Sequence, residues 1–439
     1  MSKITHRGAL GALAAAAMTL TLAPMASAEV VDPDLPLIPG IAEVESASVI
    51  RIADRDRIGT AIEAAQTRSD YGWNVPGPNI FQCSGGFATA PQYEGRRARL
   101  PLGTVIEVDA LGTRNDSSDT VECTVVKGPD RYSGIDIVVA RSDDYSDALA
   151  ATPLADVLDA PVLINPTDKL DPRNADEIAR LAQGRNMVTV HILGGTNALS
   201  ADVEEAIDDV IAAPFVWSNT LRYQGIDRYE TAVNIAKVTV DFYGIESGAD
   251  SLNVNPYITT GINFPDALAA GAAAAANDGV VLLTKGEAMD SRGFTEDFLV
   301  DLNDWVADTE FWWDVNTTET FAVGGPAHRA LVANDVRFVE AYDGADRYET
   351  ATLTAEGTFG DPSFFAVVSG MNYPDAVVAS AYIANADGPL LLSAPDALTP
   401  VTAAYLADNV DNGQMVVTFG GPGSMSKAVT EAISDIFDY

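Results

Sequence analysis

Three histidines, two cysteines and 26 lysines or arginines against 63 aspartates or glutamates mark what this 439-residue chain has little of. With so few histidines and cysteines, no Cys/His cluster has the spacing of a zinc site. No Gly-x-Ser-x-Gly elbow is present for a serine nucleophile, and no Gly-x-Gly-x-x-Gly fingerprint for a dinucleotide. The shortage of basic residues excludes nucleic acid and anionic lipid as partners, because an acidic field repels both. Past the N-terminus there is no long apolar run. Ala267 to Ala276 is too short to span a bilayer and ends at Asn277-Asp278-Gly279.

The first 28 residues read as a secretory signal: Lys3, His6 and Arg7, an apolar stretch from Ala9 to Leu22, then the small-x-small site Ala26-Ser27-Ala28. Cleavage there removes two basic residues and no acid, so the exported chain is still more acidic than the −37 of the full sequence. It is expected to be secreted, to act at the cell surface and to have no membrane segment in mature form. In an exported chain the pair Cys83 and Cys123 is expected to form a disulfide. A hydrophobic content of 47% supports packed cores.

The chain repeats itself three times. Asp227-Arg228-Tyr229-Glu230-Thr231-Ala232 returns as Asp346-Arg347-Tyr348-Glu349-Thr350-Ala351, with a looser copy at Asp56-Arg57-Ile58-Gly59-Thr60-Ala61. A second signature follows each: Asp144-Tyr145-Ser146-Asp147-Ala148-Leu149, Asn263-Phe264-Pro265-Asp266-Ala267-Leu268 and Asn372-Tyr373-Pro374-Asp375-Ala376-Val377. Apolar runs come third, at Pro161–Ile164, Val280–Leu283 and Pro389–Leu392. Glycine pairs come fourth, at Gly194-Gly195, Gly324-Gly325 and Gly420-Gly421.

Local chemistry assigns each signature a place. Asp227 and Asp346 are helix N-caps with a glutamate three residues on, the pattern of a capping box; Gly59 replaces that glutamate in the first copy, whose helix should start less firmly. Pro265 and Pro374 suit a first helical turn, where Asp147, Asp266 and Asp375 meet the positive end of the helix dipole. The apolar runs read as strands buried on both faces, and the glycine pairs as the turns leaving strands. Strands alternating with helices predict an α/β fold of three Rossmann-like parallel-sheet modules. Arg228 and Arg347 lie 119 positions apart, but Arg57 and Arg228 lie 171 apart. The excess falls between the first two signatures of the first module, in a Gly-, Pro- and Thr-rich stretch with strand-like alternation that holds both cysteines. The expected organisation is signal 1–28, linker 29–46, module one at 47–69 and 134–217 around a disulfide-closed β-rich insertion at 70–133, module two at 218–336 and module three at 337–439.

The ordered signatures resemble the cell wall-binding repeat type 2 family, over about 47–439 apart from the insertion. The resemblance implies an exported Gram-positive surface protein whose three tandem modules form a pseudo-threefold trimer. It further implies non-covalent attachment, without catalysis, to anionic wall polysaccharide such as teichoic acid or a secondary polymer. The insertion more faintly resembles the double-psi β-barrel of rare-lipoprotein-A and expansin-like proteins, through Leu100-Pro101-Leu102-Gly103-Thr104-Val105 and Cys123–Pro129. Where lytic members of that group have a proton-donating aspartate Val126 stands, and Arg97 replaces their histidine. Valine transfers no proton.

Candidate ligand-binding residues are the thrice-used Arg57, Arg228 and Arg347 with Asp147, Asp266 and Asp375. One reading gathers the arginines near the pseudo-threefold axis to grip phosphate or carboxylate groups. The other pairs each arginine internally with one of those aspartates. Arg51 and Arg222 sit six before the module arginine, and Ala341 breaks that pattern in the third copy. No catalytic residue and no cofactor is expected. Ca²⁺ or Mg²⁺ bridging acidic loops to an anionic polymer is one way around the charge repulsion. A wall-remodelling hydrolase working through the insertion, and a surface-layer or adhesion protein, are the alternative functions.

Overall fold

Each repeat helix starts where its aspartate meets the free N–H groups of a first turn. The Asp346 carboxylate accepts from the N–H groups of Tyr348 and Glu349, and Asp227 from those of Tyr229 and Glu230. Glu230 and Glu349 reach back one residue beyond the cap, to the N–H groups of Ile226 and Ala345. Asp56, lacking such a partner, accepts from Gly59 N–H and takes two hydrogen bonds from the Arg173 guanidinium, which hold its carboxyl below the usual range.

The computed structural model describes residues 43–46, 49–70, 80–83, 105–109, 120–126, 134–183, 185, 187–212, 217–247, 251–304, 314–317, 319–410 and 414–437. The signal sequence, most of the linker, Arg97, Leu100–Thr104 and Lys127–Pro129 lie outside them. The chain divides into two compact units, Met1–Leu37 with Ser69–Ser133, and Ile38–Arg68 with Gly134–Tyr439.

In the larger unit the chain opens with β1 (Glu43–Ser46), β2 (Val49–Ile52) and α1 (Arg57–Asp70). In the smaller unit, β3 (Ile80–Cys83), β4 (Val105–Asp109) and β5 (Thr120–Val126) form an antiparallel sheet in the order β3-β5-β4. Its register sets Cys83 directly opposite Cys123.

The larger unit resumes with β6 (Gly134–Arg141), α2 (Ala151–Val157), β7 (Val162–Asn165), α3 (Pro172–Ala182), β8 (Met187–Leu193), α4 (Ala201–Ile211) and β9 (Trp217–Tyr223). The second repeat runs through α5 (Arg228–Ser247), β10 (Ser251–Thr260), α6 (Pro265–Ala276), β11 (Gly279–Thr284), α7 (Phe294–Asp304), β12 (Asp314–Thr317), β13 (Phe321–Val323), α8 (Gly325–Ala333) and β14 (Glu340–Tyr342). The third runs through α9 (Arg347–Thr358), β15 (Phe364–Ser369), α10 (Tyr373–Ala384), β16 (Leu390–Ser393), α11 (Pro400–Asn409), β17 (Met415–Phe419) and α12 (Lys427–Phe437).

Three parallel four-strand arrays result, β7-β6-β8-β9, β11-β10-β13-β14 and β16-β15-β17-β2; β12 pairs with β10 beside the second, and β1 adds antiparallel to β2 on the third. The fold is therefore α/β, three Rossmann-like parallel-sheet modules. The apolar runs lie on edge strands covered on both faces: all of β7, β11 and β16 is buried.

The strand that closes each sheet precedes the arginine signature of the following repeat. β9 leads into Arg228 and pairs in the first sheet; β14 leads into Arg347 and pairs in the second. β2, leading into Arg57 at the start of the ring, pairs with β17 in the third, Val49 opposite Val416 through Ile52 opposite Phe419. Each handover ends alike: the first glycine of the pair donates its N–H to the last residue of the incoming strand, Gly194 to Tyr223, Gly324 to Tyr342 and Gly420 to Ile52. The three repeats thus interlock in a closed cycle.

At the centre, α2, α6 and α10 contact one another. α6 and α10 are buried along nearly their whole length, so their alanine-rich sequence is a packing requirement. Thr152, Gly271 and Ser380 hold the same repeat position and meet there. Thr152 Oγ1 donates to Ser380 Oγ at 2.9 Å, and Ser380 Oγ to Leu268 O at 2.9 Å. A Cβ on Gly271 would lie 2.9 Å from Thr152 and 3.2 Å from Ser380.

Candidate functional site

The second signature places an aromatic ring two residues before each aspartate, at the carboxyl ends of the central strands, where open α/β sheets take their ligands. Tyr145, Phe264 and Tyr373 form a triangle, with ring centroids 5.7, 5.6 and 6.0 Å apart. Tyr145 Oη donates to Ile262 O at 2.6 Å and Tyr373 Oη to Ser142 O at 2.7 Å, tying neighbouring repeats together. Burial pushes the Tyr373 hydroxyl up to about 12, although the Arg57 guanidinium acts against that rise.

Each candidate arginine anchors to its own repeat. Nη1 of Arg57, Arg228 and Arg347 donates at 2.6 Å to the carbonyl that ends the central strand, on Ser142, Gly261 and Gly370. From there two guanidinium groups lie over a ring of the preceding repeat, Arg57 at 5.9 Å from Tyr373 and Arg228 at 5.6 Å from Tyr145. Arg347 instead meets Met371 Sδ at 3.7 Å. The charge of each arginine acts across a seam: Arg228 on Asp147, Arg347 on Asp266 and Arg57 on Asp375. The six candidates therefore group in three arginine–aspartate sets, each joining successive repeats.

The aspartates are held in place by the glycine pairs. A Cβ on Gly194, Gly324 or Gly420 would collide with the carboxylate of Asp147, Asp266 or Asp375, at 2.4, 2.2 and 2.5 Å from Oδ2. The three glycines also have φ between +87° and +97°. Only glycine combines that backbone with room for the acid. Burial raises all three carboxyls, Asp266 to about 6.

Their partners differ. Asp375 accepts from Asn372 Nδ2 at 3.0 Å and has a Ser424 hydrogen bond, and Asp147 has one from Thr231. Asp266 is 9% exposed and has no hydrogen-bond partner among the described residues. It faces a cavity of about 300 Å³ lined also by Asn263, Gly325, Arg329, Asp343, Asp346 and Arg347.

Matches to known proteins follow this repeat. The model of cell wall binding domain 2 matches residues 51–204, 222–328 and 342–430. The chain belongs to that family. Two solved Clostridium difficile proteins share the fold: Cwp8, with a TM-score of 0.61 and 19% identity over 90% of this chain and 52% of its own, and Cwp6, with 0.60 and 18% over 90% and 50%. Two Bacillus subtilis relatives are the N-acetylmuramoyl-L-alanine amidase LytC, 27% identical over 58% of this chain and 45% of its own, and the amidase enhancer, 23% identical over 69% and 37%. The chain thus spans less than half the length of these curated relatives. Membership of a cell wall binding family supports attachment to the wall.

Other residues singled out in the sequence have structural work. Arg222 donates to Gly194 O and to Glu204, and Arg51, buried, donates to Met425 O and Thr430. His191, fully buried, bridges Asp136 and Tyr223. Among the described residues no group of three His, Cys, Asp or Glu side chains could hold a metal ion, and no helix is long and apolar enough to cross a membrane. Sequence reasoning missed the aromatic triangle, the small-residue contact on the axis and Arg329. The first two leave a signal in the repeat: one position always aromatic, another always Thr, Gly or Ser.

Proposed function

We propose that the chain is exported after cleavage at Ala28 and attaches non-covalently, without catalysis, to an anionic polysaccharide of the bacterial wall. The observation that carries this reading is the seam constellation. Three times, an arginine exerts its charge on an aspartate of the preceding repeat at the carboxyl ends of parallel strands, in a chain of the cell wall binding family. Arginine suits phosphate or carboxylate because its planar fork presents several N–H donors at once. Three such sets in one ring add up by avidity, so weak single contacts give firm attachment.

Charge opposes this, because a chain of net charge −37 is repelled by an anionic polymer. Salt shortens that repulsion to about 8–10 Å at physiological strength, and a divalent cation between polymer and acidic loops removes it. Pelleting the protein with purified walls, with and without chelator, separates the two: unchanged pelleting in chelator rules out the cation.

Amidase names among the relatives support a second reading, a wall hydrolase. Clearing of a wall suspension by the pure protein upholds that reading; pelleting without clearing upholds attachment. In the inserted unit we propose a Cys83–Cys123 bridge. Directly opposed residues of an antiparallel pair have Cα atoms about 4.5–5.5 Å apart, inside the range a disulfide spans. Thiol alkylation without reductant, read by mass, should add nothing to the protein; two added groups reject the bridge.

A further inference from the structure

The seam between the second and third repeats is built unlike the other two. After Gly194 and Gly420 the chain makes a turn before its helix, bringing Ala198 and Ser424 beside the glycine. After Gly324 helix α8 begins at once, and the residue in the place of Ser424 is His328, turned to Asp343 with Nδ1 at 3.1 Å from Oδ2. The next position holds buried Leu199 and Met425 in the first and third repeats but the half-exposed Arg329 in the second. Arg329 lines the cavity there, and no hydrogen bond from the described residues reaches the Asp266 carboxylate at its wall.

The other charges of the cavity have partners. Asp346 caps α9, and Asp343 has His328. Arg347 is engaged through Nη1, and Arg329 donates from Nε to Glu287 at 2.9 Å. A guanidinium carries five N–H donors, so each has donors on its other nitrogens. A nearly buried carboxylate with no donor calls for a ligand that brings hydroxyl or amino N–H groups. The spare donors of the two guanidinium groups suit a carboxylate or phosphate substituent on that ligand. At about 300 Å³ the space is at the small end of ligand sites and fits a single sugar ring.

We propose that this cavity is a receptor for one acidic pyranose unit. Asp266 accepts hydrogen bonds from ring hydroxyls, and Arg347 and Arg329 hold the carboxylate or phosphate substituent. The proposal deepens the attachment reading and rests on it: all three seams offer an arginine to the polymer, and this one, whose aspartate has no protein hydrogen bond, also reads the sugar ring. Burial has raised the Asp266 carboxyl, so hydroxyl donors bind best once it is ionised, and uptake in mildly acid solution is coupled to partial proton release.

The test is calorimetric titration of the full chain with glucuronate, glucose 6-phosphate and glucose. At least one acidic sugar should bind with a dissociation constant on the order of 1 mM, and glucose about tenfold more weakly. Asp266→Asn should weaken the acidic sugar at least about tenfold, because a hydrogen bond to a charged group is lost. Arg329→Leu, which restores the apolar type of the other repeats, should weaken it also. Lys427→Ala, at an exposed cation outside the cavity, should leave it unchanged. The tighter of the two acidic sugars identifies the substituent. Absence of binding by both acidic sugars at about 10 mM overturns the receptor, as does equal weakening by Lys427→Ala. Wall pelleting of the same preparations keeps the two claims apart. A chain that pellets but takes up neither sugar overturns the receptor alone; one that takes up sugar but does not pellet overturns attachment alone.

Discussion

The axis of the ring and the seam around Asp266 are built from the same triplicated signatures, yet the repeats have been kept alike in one place and let apart in the other. On the axis, three positions are always aromatic and three always small, because three helices converge there and any added atom meets a neighbouring repeat. At the seams the glycine–aspartate contact is retained, but its surroundings vary: Leu199, Arg329 and Met425 share one place, the first and last buried and Arg329 half-exposed at the wall of a cavity. The contrast teaches that identity among copies marks packing, and divergence at one copy marks where a ligand can be chosen.

Changes at the shared positions should cost stability, and changes at the divergent ones should cost binding. The largest effect is expected for Gly324→Ala, which strains a backbone at φ +87° and drives a Cβ into the Asp266 carboxylate. Strain and overpacking together cost about 4 kcal/mol, read in denaturant unfolding. Gly271→Val, on the axis, should cost about 3 kcal/mol through contact with Thr152 and Ser380, with each seam's chemistry untouched. A stability loss below about 0.5 kcal/mol for either would break the packing half of the comparison.

The third effect depends on pH. The Asp266 carboxyl is raised to about 6 in the folded protein from an ordinary 3.8, so the folded state holds its proton more tightly than the unfolded one. Its contribution is complete below about pH 4 and is lost as pH rises through 6, about 3 kcal/mol across the window. Asp266→Asn should flatten that part of the stability–pH curve, whereas an unaltered slope would reject the buried, donor-free carboxylate. Tyr373→Phe removes the hydroxyl bonded to Ser142 O and should cost about 1 kcal/mol, since Phe264 already does without one. Smallest of all, Arg329→Leu gives up only an exposed contact with Glu287 and should move stability by no more than about 0.5 kcal/mol.

Much of this was legible in the sequence wherever the signal was local. The aspartate caps, the prolines of the first turns, the buried strands and the glycine turns all reflect short-range chemistry, repeated often enough to be read. What hid was long-range. That β2, at the start of the ring, completes the sheet of the last repeat depends on strands more than 360 residues apart, which no spacing announces. What surrounds the three arginines was hidden too. Their hydrogen bonds go to carbonyl groups of their own repeat, and the aspartate each one influences belongs to the preceding repeat. The weak first cap is strengthened by Arg173, a residue outside the repeated pattern. Arg329 carries no repeat signal of its own, because the positions that share its place hold Leu199 and Met425.

Attachment itself is tested most directly by sedimenting the protein with walls stripped stepwise of teichoic acid, then other glycans, down to bare peptidoglycan. The ring should pellet with intact walls and be released when the anionic polymer is extracted. Protein that stays in the supernatant with intact walls, or pellets equally well with bare peptidoglycan, would contradict the account.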